Sequence, residues 1–447
     1  MKLLIYLSLL NLSLFSQELS LEQALRLLEQ QNLEIKIANY DIQSADLSQD
    51  ISSSYHYGKL NFTQNIMHSN DASNVFGFKL TSREASFNDF GFAEFGNIPM
   101  DAPIQGLNYP GKRNFFQSKL TYELPLYTGN KISAYENITK EMKHISLLNK
   151  QDKLNTKRYE IRKAYFDMAL LQDSLKNLNL ILSNIQQLES MTKEMIREGY
   201  AKKIDLLEVQ SKKANLSRII IEIKANKELL YHYLSFLLNQ KVTNIQVPTY
   251  NLEEPRISEK QILENNIDIK KAMAALNIHE NIVTSEESRY LPTLGAMAEA
   301  QTADDTFLGD ASKHSSYTLG LQLQWNLFSG GADSAIIENS RVQSLKMQTQ
   351  THLAKKGISL KIKEIQTNIK QVNSEISNLS LELDLARQIY ENYEGRYKEQ
   401  LSSMSDVIIK QSSWLEKVLA LLKAKNARNK HIFTLEKLGT LTSGDVL

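Results

Sequence analysis

Two halves of this chain repeat each other at one fixed spacing. Leu126-Tyr127-Thr128-Gly129 recurs as Leu327-Phe328-Ser329-Gly330, and Asp205 recurs as Asp406, both 201 residues apart. An earlier pair, Asn32-Leu33-Glu34-Ile35 and Asn266-Ile267-Asp268-Ile269, lies 234 residues apart. One half therefore carries 33 extra residues ahead of the later matches. A unit of roughly 200 residues is far longer than a solenoid repeat. The duplication predicts two pseudo-equivalent halves of one domain, residues 17–241 and 257–440.

Composition removes several classes of function. Basic residues (52) balance acidic ones (51), so there is no electrostatic footprint for nucleic acid. With 42% apolar and 23% charged residues the chain is too apolar to be disordered. Zero cysteines exclude thiol catalysis, cysteine-held metals, disulfides and a lipoprotein anchor. Residues 1–16 begin with Lys2, run apolar from Leu3 to Phe15 and end at Ser16, the pattern of a secretory signal peptide. A buried N-terminal helix is the alternative for the same residues. No later stretch approaches the ~20 apolar residues of a spanning helix. Any contact with a membrane must be made by strands.

Proline and glycine mark where long helices lie. All seven prolines fall at 99, 103, 110, 125, 248, 255 and 292, and no glycine interrupts Lys131 to Glu198. At ~1.5 Å per residue that segment makes a helix of roughly 100 Å. In the second half Ile362, Ile365, Ile369, Val372, Ile376, Leu379, Leu383, Ala386, Tyr390, Tyr393 and Tyr397 alternate spacings of three and four, a coiled-coil seam. Ile161, Tyr165, Met168, Leu171, Leu175, Leu178, Leu182 and Ile185 nearly repeat it in the first half. Each seam stops, at Gly199-Tyr200-Ala201 and Gln400-Leu401-Ser402, before a helical pattern resumes. The spacing predicts one antiparallel helical hairpin per half, with Asp205 and Asp406 capping or lining its tip.

Strand signals sit at the other end of each long helix. Phe116, Ser118, Leu120, Tyr122, Leu124 and Leu126 alternate with Gln117, Lys119, Thr121, Glu123 and Pro125. Tyr317, Leu319, Leu321, Leu323, Trp325 and Leu327 do the same in the second half. Period two over ~11 residues is the length and pattern of a membrane-barrel strand. The predicted strands are 57–67, 116–126, 292–301 and 316–328; a half-buried hairpin in a soluble sheet is the alternative. Four strands cannot close a barrel, and lipid tolerates no open edges. Several protomers must then share one barrel, in a number that the residues do not fix. Asn130 and Asp333 are expected to cap the helices that follow the glycine turns.

The blocks Glu123-Leu124-Pro125-Leu126-Tyr127-Thr128-Gly129 and Trp325-Asn326-Leu327-Phe328-Ser329-Gly330-Gly331 resemble the duplicated strand-to-helix motif of the TolC family of outer-membrane channel proteins. So do Arg197-Glu198-Gly199 leading to Asp205-Leu206-Leu207, and the opening Leu19-Ser20-Leu21-Glu22-Gln23-Ala24-Leu25. The resemblance spans essentially the whole mature chain. It implies a mixed, mostly α fold: a homotrimer whose protomers each give four strands to a 12-stranded outer-membrane β-barrel and two helical hairpins to a periplasmic tunnel. The implied function is that of a passive channel in a tripartite efflux or type I secretion system, with a periplasmic adaptor protein and an inner-membrane pump as partners.

By the same resemblance, Gly199, Tyr200, Ala201, Gln400, Leu401 and Ser402 match adaptor-docking tips, while Asp205, Asp406 and Tyr397 match the periplasmic gate. Three positions depart from the family pattern: Gln400 stands for a usual glycine, Ile409 for a second carboxylate, and Ser402 for a basic residue. The excess residues fall between the first two strands, roughly His68 to Asn114, and bring six phenylalanines. They are expected to form an exposed or inward-folded surface loop whose aromatics cover the mouth.

No enzymatic constellation appears. His279-Glu280 has no second histidine four residues on, and no phosphate-cradling glycine loop is present. The expectation is a protein without catalytic residues, cofactor or metal, driven by a partner. A secreted periplasmic coiled-coil adaptor or structural protein is the rival reading; it explains the helices but not the four amphipathic segments.

Overall fold

The computed structural model describes residues 18–248 and 252–439. The expected signal peptide, 1–16, lies outside the described residues. In chain order the elements are α1 (Leu21–Gln31), α2 (Leu33–Ser54), β1 (Lys59–Ser69), α3 (Ala72–Thr81), α4 (Gln105–Asn108), β2 (Arg113–Tyr127), α5 (Lys131–Arg197), α6 (Lys203–Leu238), α7 (Glu259–Asn265), α8 (Ile267–Glu287), β3 (Thr293–Asp304), β4 (Ser315–Gln324), α9 (Ala332–Lys398) and α10 (Met404–Gly439). The duplication is carried to the residue. Helices α5 and α9 have 67 residues each, and α6 and α10 have 36 each. Between β1 and β2 lie 43 residues against 10 between β3 and β4, so the whole excess of 33 sits in that one loop.

The chain forms two compact units. One comprises residues 43–144 and 274–349 and contains the sheet. Its four strands pair antiparallel in the order β1-β2-β3-β4, leaving β1 and β4 as free edges. All four strand boundaries differ from the sequence reading, with β1 running on to Ser69 and β3 to Asp304. Strand β1 starts at Lys59 because Gly58, at φ 72°, ends a 3-10 turn over Tyr55–Tyr57. Strand β2 starts three residues early, at Arg113. Strand β4 ends at Gln324, so Trp325 and Leu327 lie beyond it: its neighbour β3 begins at Thr293, opposite Gln324, and offers those residues no partner.

The second unit takes, among the described residues, 18–42, 145–248, 252–273 and 350–439. Each repeat builds the same joint there. Asn32 donates through Nδ2 to the Leu237 carbonyl at 2.8 Å and accepts the Ile35 N–H at 3.1 Å. Asn266 does the same with Leu438 (3.1 Å) and Ile269 (3.1 Å). One buried amide thus caps the start of α2 or α8 and satisfies a carbonyl near the end of α6 or α10. That dual task explains why the Asn-led quartet recurs. Around these joints, Ala24, Leu28, Tyr165 and Leu234 fill one core, and Ile262, Ile365, Ile369 and Phe433 fill its counterpart.

The α9 seam is buried or half-buried along its length as its spacing predicts. In α5 the innermost row past Met168 is Ser174, Leu178, Ile181, Ile185, Leu188 and Thr192, while Leu171, Leu175 and Leu182 are half-buried. An apolar count misses the two hydroxyls. Each is satisfied within its own helix, Ser174 by Leu170 O and Thr192 by Leu188 O, both at 2.7 Å, so it packs as a small core residue.

Candidate functional sites, a two-faced sheet and paired helical tips

Strand register separates the sheet into two faces. Leu120 stands opposite Phe62 and Ala300, and Ala298 stands between Tyr122 and Leu319. This face is apolar and exposed across all four strands, with Phe62, Leu319, Leu321 and Leu323 open to the surroundings. The opposite face carries Asn65, Gln117 and Gln301 in one hydrogen-bonded chain and Lys119 with Glu299 as an ion pair. Asn65 donates to Gln117 at 2.8 Å, Gln117 to Gln301 at 2.5 Å, and Lys119 pairs with Glu299 at 2.5 Å. An apolar outside and a hydrogen-bonded polar inside is what a lipid-embedded barrel requires of each strand. The two free edges would leave backbone groups unpaired in lipid, so the sheet is incomplete by itself.

At the strand-to-helix turns the caps are not Asn130 and Asp333. Asn130 takes a left-handed backbone (φ 69°), and the Thr128 hydroxyl accepts from Ile132 N at 3.4 Å. In the second half the Ser329 hydroxyl accepts from Asp333 N at 3.2 Å. Asp333 lies inside the first helical turn, where Asn326 donates to it and Arg289 approaches at 3.6 Å. The hydroxyl four residues ahead caps; the carboxylate ties the turn to its neighbours.

The two helical tips are built alike. Tyr200 N donates to Met195 O at 2.7 Å, and Leu401 N donates to Arg396 O at 2.8 Å, 201 residues later. Gly199 sits at φ 80° and Gln400 at φ 62°. Glycine adopts that region freely, whereas glutamine pays for it in Cβ crowding. Gln400→Gly is therefore expected to stabilise the second tip by about 1 kcal/mol, or ~5-fold slower exchange of the Leu401 amide hydrogen. Unchanged exchange would show the glutamine to be unstrained.

Both tip acids serve as helix caps. Asp205 accepts from Lys202 N at 2.7 Å; Asp406 accepts from the Ser403 hydroxyl at 2.6 Å and from Ser403 N at 3.2 Å. The Ser403 hydroxyl and then its N–H hold the Asp406 carboxyl below the usual range, with Lys410 and Arg396 adding smaller pulls. Tyr397 is buried in the core shared by α5, α6, α9 and α10. Tyr397 thus lies in the core behind the tips, while Asp406 is held by Ser403 of its own hairpin. Tyr200, at 65% exposure, and Leu401, at 67%, present apolar surface at the two tips, as does Ile409.

Sequence spacing missed two arrangements. Trp414 stacks on Tyr390 with centroids 5.4 Å apart, and beside them the Tyr390 and Tyr397 hydroxyls and Gln411 Nε2 are buried without hydrogen-bond geometry to any described residue. The other lies at the far end of the sheet. Glu84, Asp304 and His314 place ligand-type atoms within 4.8 Å of one another. Arg113 pairs with Glu84 and faces Asp305 at 3.8 Å, so a guanidinium already supplies positive charge to that group. Neither has a sequence signal, because each joins residues distant in the chain.

The sequence model of the outer membrane efflux protein family matches residues 259–439. No curated protein sequence matches the chain. The CmeC outer membrane channel of Campylobacter jejuni is similar in structure at a TM-score of 0.77 and 15% identity, over 94% of this chain and 85% of that one. VceC, an outer membrane protein of Vibrio cholerae, is similar at a TM-score of 0.77 and 14% identity, over 94% and 96%. The open-state MtrE outer membrane channel of Neisseria gonorrhoeae gives 0.75 and 12%, over 94% and 88%. No described helix is long and apolar enough to cross a membrane. The chain has the fold of these outer-membrane channels, and its residues 259–439 match the outer membrane efflux protein family.

Proposed function

We propose that three copies of this chain form one outer-membrane channel, closing their twelve strands into a barrel and their helical hairpins into a periplasmic tunnel. The observation that carries this reading is the sheet: four strands, one apolar face, one polar face and two unpaired edges. Further support comes from α2, where Leu33, Ile37, Tyr40, Leu47 and Ile51 repeat at spacings of four, three, seven and four and are all exposed. That is a coiled-coil seam awaiting a helix from another copy. The rival reading, a soluble coiled-coil adaptor, accounts for the seam and leaves the apolar face of the sheet unexplained.

The channel is a passive conduit of an efflux system. An inner-membrane pump supplies energy and selects cargo, and a periplasmic adaptor docks at Gly199-Tyr200-Ala201 and Gln400-Leu401-Ser402, where Tyr200 and Leu401 offer apolar contacts. Asp205, Asp406 and Tyr397 form the periplasmic gate, with capping as a second duty of the two acids. Unpartnered polar atoms in the α9–α10 core near the tip each cost about 1–3 kcal/mol. They favour a packing that can be exchanged for another, as a gate needs.

Converging carboxylates at a constriction concentrate cations. Asp205→Asn with Asp406→Asn should therefore weaken divalent-cation block of single-channel conductance in planar bilayers by about tenfold. Unchanged block in a conducting channel removes both residues from the aperture.

A further inference from the structure

The 43-residue loop between β1 and β2 is a folded body, and it sits on one particular side of the sheet. Helix α3 buries Val75 and Phe78. Phe78 stacks on Phe115 with centroids 4.3 Å apart, and Ala303 completes the cluster. Phe115 lies two residues before Gln117, and Ala303 stands directly opposite Gln117. Because strand side chains alternate, both anchors belong to the polar face. The next turn is fixed to that face as well, since Arg113 pairs with Glu84 and donates to the Ser82 hydroxyl at 3.3 Å.

The rest of the loop is self-supporting. Lys79 pairs with Asp89, and the Glu94 carboxylate accepts the N–H groups of Gln105 (2.9 Å) and Gly106 (2.7 Å). Phe87 and Phe92 meet edge to face at 5.4 Å. Yet the loop turns aromatic side chains outward: Phe87 is 78% exposed, Phe95 74% and Phe92 60%. Six phenylalanines on a loop of ordinary solvent exposure would be costly, and an exposed apolar patch of this kind marks an interaction surface.

We infer that this patch is covered by its own copies. The argument rests on the trimeric barrel reading above. When sheets close with their apolar faces outward, their polar faces enclose the lumen. A body clamped to the polar face then lies inside the mouth, at the strand ends away from the long helices. Each of the three copies brings the same body to the same enclosed space. Phe87, Phe92 and Phe95 of one copy meet those of its neighbours and form an apolar constriction at the outer end of the channel. Such a ring resists ions by dewetting and yields to amphipathic or apolar cargo that can slide along aromatic faces.

The absence of cysteine allows a clean test on the full-length protein. Phe95→Cys, purified in detergent and treated with a short bis-maleimide, is expected to give covalently joined copies on a denaturing gel. Separately, the triple variant Phe87→Ser, Phe92→Ser, Phe95→Ser should raise single-channel conductance by about twofold or more in planar bilayers. A conducting channel in which Phe95→Cys stays uncrosslinked, or in which the triple variant conducts like the parent, overturns the proposal. A parent protein that forms no channel at all overturns instead the reading on which it rests.

Discussion

Arg162→Met is expected to lower the stability of the helical unit by about 3–5 kcal/mol at pH 8. Glu436 is 3% exposed and receives both guanidinium donors of Arg162, at 2.5 Å and 3.3 Å. The same guanidinium lies 4.7 Å from the Phe433 ring centre, so the pair is packed as well as charged. Helix α5 belongs to the first repeat and α10 to the second, so this pair ties the two halves together, as Lys119 with Glu299 and Lys271 with Asp152 also do. Removing Arg162 leaves a carboxylate in a place that water does not reach. Burial already pushes the Glu436 carboxyl up, and Arg162 pulls it partly back.

The direction of pH dependence follows. An acid whose folded pKa is raised contributes full stability below its unfolded pKa and loses it as pH rises through the folded value. Without Arg162 the folded pKa rises further, so the variant loses more stability between about pH 5 and pH 8 than the parent does. The unfolding temperature in detergent, measured at both pH values, reads this directly. Adding Glu436→Gln to Arg162→Met should restore most of the loss at pH 8 and flatten the pH dependence. Equal losses at pH 5 and pH 8 would show that packing, not the stranded charge, sets the cost.

The second large effect concerns the sheet. Leu321→Arg places a charge on the apolar face, opposite Ala296 and away from the β3–β4 ends. A lipid-facing arginine near the bilayer midplane costs about 2–4 kcal/mol. In the proposed trimer three copies multiply that cost across one barrel, so the variant is expected to fall sharply in the outer-membrane fraction. Gln322→Arg, one residue on, points to the polar face and should insert nearly as well as the parent. The contrast between neighbours isolates the face rather than the strand. Comparable insertion of both variants would mean that neither face meets lipid.

The parts of this protein that were legible in the sequence are those written in short-range periodicity. Equal helix lengths, tip turns and strand alternation all repeat at one offset, and each copy checks the other. The phase of the α5 seam was harder, because Ser174 and Thr192 satisfy their hydroxyls within the helix and pass for surface residues. Strand β4 was read four residues too long because apolar alternation continues through Trp325 and Leu327. Ladder partners end a strand, and those are set by where Pro292 releases β3. Capping was misread at Asn130 and Asp333 for a similar reason: a left-handed residue cannot serve as an ordinary cap, and its φ is invisible in its name. The clasp of Arg113 with Glu84, and the stacking of Trp414 on Tyr390, join residues far apart in the chain. Only the fold brings them together. At Gln400 the sequence departs from glycine, but the backbone keeps the left-handed turn that its counterpart Gly199 makes.

Cell fractionation followed by extraction and gel analysis tests the central claim most directly. The protein is expected in the outer membrane, released only by detergent, and migrating as a trimer that heating splits into monomers. A monomer recovered from the soluble periplasmic fraction would contradict it.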